Sequence, residues 1–157
     1  MRDPETPAAE PLWKGRIAGP PDAEFFAFQR SLPFDARLLP YDLRLNAAWA
    51  RALEKAGLLA ATDRERLVQA LDAIGRELSP AQAAAGDAED VHTLVEAELT
   101  RRTGDAGRGI HRGKSRNDQV ATDLRLWTAD AAEGLAAEVS SLAHALAAQA
   151  TTLLERQ

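Results

Sequence analysis

Apolar residues along this chain recur mostly at helical spacing. Leu67, Leu71, Ile74 and Leu78 stand four, three and four residues apart, which puts them on one helix face. Thr62 or Asp63 is positioned to cap that helix, and Pro80 to stop it. Val91, Leu94, Val95 and Leu99 form the apolar side of another helix, predicted from about Ala88 to Thr103, which GDAGRG breaks. Upstream, LPYDLRLNAAWARALEKAGLL predicts a helix from about Asp42 to Ala56, with Pro40 just before its start and Gly57 as its C′ residue. EFFAFQRSL predicts a short helix that Pro33 ends. AQAAAGDAED reads as a weakly structured acidic connector.

The last periodic segment is the longest. From Asn117 to Glu155 there is no proline, and Gly134 is the only glycine. Val120, Leu124, Trp127, Ala131, Leu135, Leu142, Leu146 and Leu153 recur with a near-heptad period. Such a helix would run on the order of 55 Å, against a mean of about 11 to 12 residues per globular helix. A stripe of that length needs other helices to cover it, as in a bundle or coiled coil. The sequence stops at ERQ inside the helical pattern, so the expectation is a piece of a larger protein. The predicted fold is all-α, an N-terminal helical domain leading into the first long helix of a central bundle. Residues 1–12 form a Pro-rich flexible arm, 13–116 the helical domain, and 117–157 the start of the bundle helix.

Composition narrows the function. Alanine is abundant and β-branched residues are few, which favours helix over strand. The net charge of -5 argues against nucleic acid as a partner. The chain has no cysteine, which excludes disulfides and thiolate metal sites and fits a reducing compartment. MRDPETPAAEPLW has no apolar core and is no signal peptide. No apolar run reaches the ~20 residues of a membrane span. A cytoplasmic protein is expected.

Against this acidic background, GIHRGKSRNDQ gathers its cations at the mouth of the long helix. Ser115-Arg116-Asn117-Asp118 fits the capping box S-x-x-D, so Ser115 capping the helix is one interpretation. The other is an anion site. A helix N-terminus presents unpaired N–H groups and partial positive charge. Glycines 107, 109 and 113 would let a ligand approach the backbone, and Arg116 offers a fork matching a carboxylate. The P-loop pattern is not met. A second polar cluster is Glu89-Asp90-Val91-His92, with Glu96 one turn after His92. It reads either as a plain i,i+4 pair or as the second wall of a cleft, with His92 titrating near neutrality. Its spacing matches no metal motif, and no metal or cofactor is expected. His111, in the Gly-rich loop, either touches a ligand or is simply exposed. His144 and Trp13, Trp49 and Trp127 read as structural.

SRNDQVATDLRLW, preceded by a His-x-Gly loop, resembles the first signature region of the argininosuccinate lyase family, in the aspartase/fumarase superfamily. LWKGRI, SLPFDARLLPYDL and EDVHTLVEAELTRRTGDAG are similar to further family segments in the same order. The resemblance implies an all-helical homotetramer built on a long bundle. It implies elimination of argininosuccinate, a small dicarboxylate, to arginine and fumarate in arginine biosynthesis. By matching positions, Ser115, Arg116 and Asn117 would bind substrate carboxylates. Asn46 would stand where many members carry a substrate-facing serine, and His92 would support catalysis. Some positions depart from the pattern. Trp49 replaces a usual histidine, Leu45 a common glycine, and Arg112 and Lys114 flank Gly113 in place of Thr and Arg. The family's Gly-Ser-Ser loop, which carries the serine base, is not in these 157 residues, so the chain alone is expected to be inactive. Two alternatives are a non-catalytic remnant acting as a helical interaction module and a lyase for another N-substituted aspartate.

Overall fold

Pro33, Pro40 and Pro80 each fall in the first turn of a helix. A computed structural model describes residues 22–156. The predicted arm over residues 1–12, the LWKGRI segment and Trp13 lie outside that range. The described residues form helices and turns, without a strand. Helix α1 spans Ala23–Gln29, with Asp22 capping it by accepting from the Glu24 and Phe25 amides. The chain turns at Arg30, and Pro33 opens the short α2, Leu32–Asp35, instead of ending α1. A 3-10 turn, Ala36–Leu38, leads into α3, Leu39–Lys55. Here too the proline, Pro40, lies inside the first turn, so the helix begins earlier than its apolar pattern indicates. Proline is suited to that place because its fixed φ is helical and the missing N–H has no intrahelical partner there.

Gly57, at φ 71°, ends α3. Leu58 N–H bonds back to Leu53 O and Gly57 N–H to Glu54 O, the paired bonds of a Schellman stop. Helix α4 is Ala61–Glu77, and its N-cap is Ala60. Thr62 and Asp63 therefore fall within the first turn and do not cap; Asp63 pairs with Arg66 instead. The acidic connector also contains more structure than expected. Pro80–Ala84 is a helical turn, α5, with a reciprocal capping box between Ser79 and Gln82. Helix α6, Val91–Thr103, starts at Asp90, whose carboxylate accepts from the Thr93 amide at 2.6 Å. Gly104, at φ 64°, breaks it, but Asp105–Arg108 then forms one more turn, α7. A 3-10 turn at Gly109–His111 precedes the long helix α8, Arg116–Leu154.

The chain divides into two units, Met1–Asp123 and Leu124–Gln157. In the first, α3, α4 and α6 pack together, with α2 and α5 at one edge. Leu39 and Leu53 of α3, Leu67, Leu71 and Ile74 of α4, and Val91, Val95 and Leu99 of α6 are buried in its core. Each such Leu or Ile contributes about 1.5–3 kcal/mol by leaving water. Leu78 and Leu94, placed on those faces by the pattern, are only half-buried. The second unit is the remainder of α8, whose Leu135, Val139, Leu142, Leu146, Leu153 and Leu154 are exposed. His144 is exposed there as well, its ring bonded to Ser140 O. No helix among the described residues is long and apolar enough to cross a membrane.

Candidate active site

Along α3 the buried positions are Leu39, Asp42, Asn46, Ala50 and Leu53. They keep the spacing of an apolar stripe, yet two of them are polar. Burying a carboxylate and an amide is costly unless partners satisfy them, and the partners arrive from two other segments. His92 of α6 sets Nδ1 2.8 Å from Asp42 Oδ1. Gln119, on the first turn of α8, donates its Nε2 to the same oxygen. Asn46 donates Nδ2 to Asp42 Oδ2 at 2.9 Å. Asp123, one turn after Gln119, brings Oδ2 to 3.5 Å from His92 Nδ1. Asp42 and Asp123 are completely buried and His92 is 4% exposed.

Two carboxyls in such a place cannot both stay charged. No neighbouring N–H is aimed at either oxygen of Asp123. Burial first, then the charge of Asp42 and a hydrogen bond to it, push the Asp123 carboxyl up to about 8. Burial alone would raise Asp42 too. The hydrogen bond from His92, with hydrogen bonds from Gln119 and Asp123, outweighs it and holds Asp42 below its ordinary value. The pair thus shares one proton near neutrality.

Asp42, His92 and Asp123 offer three ligand atoms within 4.8 Å of one another, the ligand types of a divalent ion. The surroundings do not suit one. The N–H groups of Gln119 and Asn46 already point at the two oxygens of Asp42.

Above this cluster is a narrow recess lined by Asn46, His92, Glu96, Leu99, Ile110, Lys114 and Gln119. It has essentially no room for even a water-sized guest, so it is a seam in a wall and not a pocket by itself. Lys114 reaches in and donates to Asn46 Oδ1 at 2.6 Å. Burial lowers the Lys114 pKa, and Arg116 adds to that, while Asp42, Glu96 and Asp123 oppose it. Glu96 does not pair with His92 as its spacing suggested. It takes His111 Nε2 at 2.7 Å, which ties the Gly-rich loop to α6. Trp49 braces the same loop through Nε1–H to Arg112 O at 3.2 Å.

The residues at the mouth of α8 are arranged differently. Ser115 Oγ accepts from the Asn117 amide at 3.2 Å, so it caps the helix. Ser115 and Asn117 are exposed, and neither lines the recess. Arg116 is engaged with the protein: Nη1 lies 3.4 Å from Asp90 Oδ1 and Nη2 3.2 Å from Thr93 Oγ1. The expected trio is therefore split from Asn46 and His92, and Lys114 is the cation beside them. The glycines also serve folding first. A Cβ on Gly107 would meet the α6 backbone at 2.7 Å, and Gly113 adopts φ 67° against Trp49. Nearby, Ser31 donates to Asp35, which accepts from the Val91 amide at 3.1 Å. Burial raises the Asp35 pKa, with the Ser31 and Val91 bonds opposing. Asp42, Gln119, Asp123 and Lys114 went unrecognised as a group from sequence. The legible signal was polar residues in apolar register on α3, repeated as Gln119 and Asp123 one turn apart.

A sequence profile of the lyase family matches residues 15–153. The chain is 45% identical over 129 residues to the argininosuccinate lyase of Solibacter usitatus (strain Ellin6076). That alignment covers 82% of this chain and 28% of the relative, so the chain spans under a third of that protein's length. A match of this extent makes the chain a member of the lyase family, similar in sequence to argininosuccinate lyase.

Proposed function

We propose that this chain forms part of a carbon–nitrogen lyase that splits argininosuccinate into arginine and fumarate. The observation that carries the proposal is the joining of two signature segments. Arg116 of SRND bonds to Asp90 and Thr93, which bracket the Val91-His92 of EDVH. The reaction removes a proton beside a carboxylate, places the charge on that carboxylate, and then breaks the C–N bond to the guanidino group. Donors fixed on the developing charge stabilise it more than the ground state. Ser115, Arg116 and Asn117 are assigned to substrate carboxylates, Asn46 to the substrate's polar portion, and His92 to a supporting place on the wall. The base is assigned to a serine outside these 157 residues. The exposed apolar stripe of α8 supports a homo-oligomer, a tetramer by family resemblance, working in the cytoplasm in arginine biosynthesis. No cofactor takes part in this scheme.

The test uses the protein expressed from its natural reading frame, supplied with argininosuccinate, with fumarate followed by absorbance. Arg116→Ala should reduce turnover by on the order of 100-fold, the worth of one donor to a developing carboxylate charge. Undiminished turnover in that variant refutes the assignment.

A further inference from the structure

The buried group beneath the recess points to a role the lyase reading does not itself assign. His92 Nδ1 faces two carboxyls, Asp42 Oδ1 at 2.8 Å and Asp123 Oδ2 at 3.5 Å. His92 also lines the recess, and with Nδ1 turned to the carboxyls Nε2 is the ring nitrogen on the other side. Which nitrogen of a neutral imidazole carries the proton is set by the bond made at the other one. Asp42 is itself clamped. Gln119 and Asn46 donate to its two oxygens, and its backbone O also accepts from Asn46 Nδ2 at 2.9 Å. A clamped carboxylate fixes the plane and tilt of the ring that donates to it. Asp123 has no such donor, and its carboxyl is neutral only by keeping a proton, which it shares with Asp42.

We propose that Asp42 and Asp123 are a positioning pair for His92: the single proton they share leaves one negative charge against Nδ1, which keeps that nitrogen protonated and presents Nε2 to the substrate recess as an acceptor. The pair does not touch the ligand. The charged and titratable groups around it are Asp35 from α2, Asp42 from α3, Glu96 from α6, Lys114 from the loop, and Arg116 and Asp123 from α8. Lys114 and Glu96 have opposite charge at the rim, and the two aspartates are the carboxyls that face Nδ1 itself. A second proton would leave no anion to hold Nδ1–H. Loss of the shared proton would put a second anion against the ring. The inference rests on the lyase reading for the identity of the ligand, but not for the state of the ring.

Nitrogen-15 NMR of the imidazoles in the natural protein reads that state without turnover. In the parent, His92 should show a protonated Nδ1 and an unprotonated Nε2 at neutral pH. Asp42→Asn should shift the proton to Nε2 in a substantial fraction of molecules and lower kcat by on the order of 100-fold with little change in KM, as for a lost tautomer anchor. Asp123→Asn preserves shape and neutrality. It should keep the parent tautomer and abolish the change in the His92 signals that accompanies ionisation of the pair as pH rises through about 8. If Asp42→Asn does not fold, the Asp123→Asn comparison decides alone. An unprotonated Nδ1 in the parent, an unaltered tautomer in folded Asp42→Asn, or persistence of the alkaline step in Asp123→Asn overturns the proposal. A protein with the expected ring signals but no fumarate production would refute the lyase reading and leave the positioning pair standing.

Discussion

Gly107 is where the packing of the first unit is tightest, and replacing it with alanine tests the packing directly. A Cβ there would lie 2.7 Å from Leu99 C, Leu99 O and Thr100 Cα. All three are backbone atoms of a helix, so no rotamer change relieves the overlap. Ordinary contact begins near 3.4 Å, so α7 would have to retreat from α6 by about 0.7 Å. Overpacking of this kind costs about 1–3 kcal/mol. Alanine returns about 0.5–1 kcal/mol through a less flexible unfolded chain and better helix propensity. The net loss is about 1–2 kcal/mol, which for a unit of this size lowers Tm by roughly 3–10 °C. Thermal unfolding followed by far-UV circular dichroism reads the difference. Gly75→Ala is the matched control, because its Cβ would meet only Leu43 Cδ1 at 3.2 Å, a methyl that can swing aside. Gly107→Ala should melt clearly below both the parent and that control. A Tm equal to or above the parent's would show that α7 does not lie against α6 as described. Because α7 leads directly into the loop that delivers Lys114, the same variant should also disturb the recess.

Other consequences follow from the same residues. The folded-state pKa of Asp123 is raised above its ordinary 3.8 to about 8, so its contribution to stability is complete below about 3.8 and is lost as pH rises toward 8. Asp42, held below its ordinary value, acts oppositely and only in acid, losing its contribution as pH falls below 3.8. Urea unfolding across the neutral range should therefore show stability falling by up to about 1.4 kcal/mol per pH unit in the parent, and a flatter profile in Asp123→Asn. Equal slopes would contradict the buried proton. Ser79→Ala removes one half of the capping box on α5 and should cost about 1 kcal/mol, detectable as a lower urea midpoint with unchanged slope.

The periodic segments were legible because their apolar spacing was regular: α4, α6 and α8 lie within a few residues of their predicted bounds. Prolines marked boundaries without showing that a helix begins at each. Pro33, Pro40 and Pro80 each read as a boundary, and each occupies the first turn of a helix. Only the backbone on either side decides between those roles. The buried cluster was hidden for another reason. Asp42 and His92 are 50 residues apart, and each alone is an ordinary polar residue in a helix. Hydropathy scores them as surface positions, although their register assigns them to the interior. The Ser115 cap was legible as S-x-x-D, whereas the bond from Arg116 to Asp90, 26 residues away, was not.

Asp90 joins segments far apart in sequence. Its Oδ1 accepts from Thr93 N–H and also receives Arg116, while just before it Glu89 O accepts the Ser31 and Leu32 amides and Ala88 O accepts Arg30 Nε. The stretch before α6 therefore resembles a loop only in composition. It is pinned at consecutive residues from two directions, so an insertion or deletion of even one residue between Ala88 and Asp90 would pull the histidine helix out of step with the start of α8. Among descendants of this sequence, length variation should accumulate elsewhere, and this junction should keep its residue count while its neighbours drift.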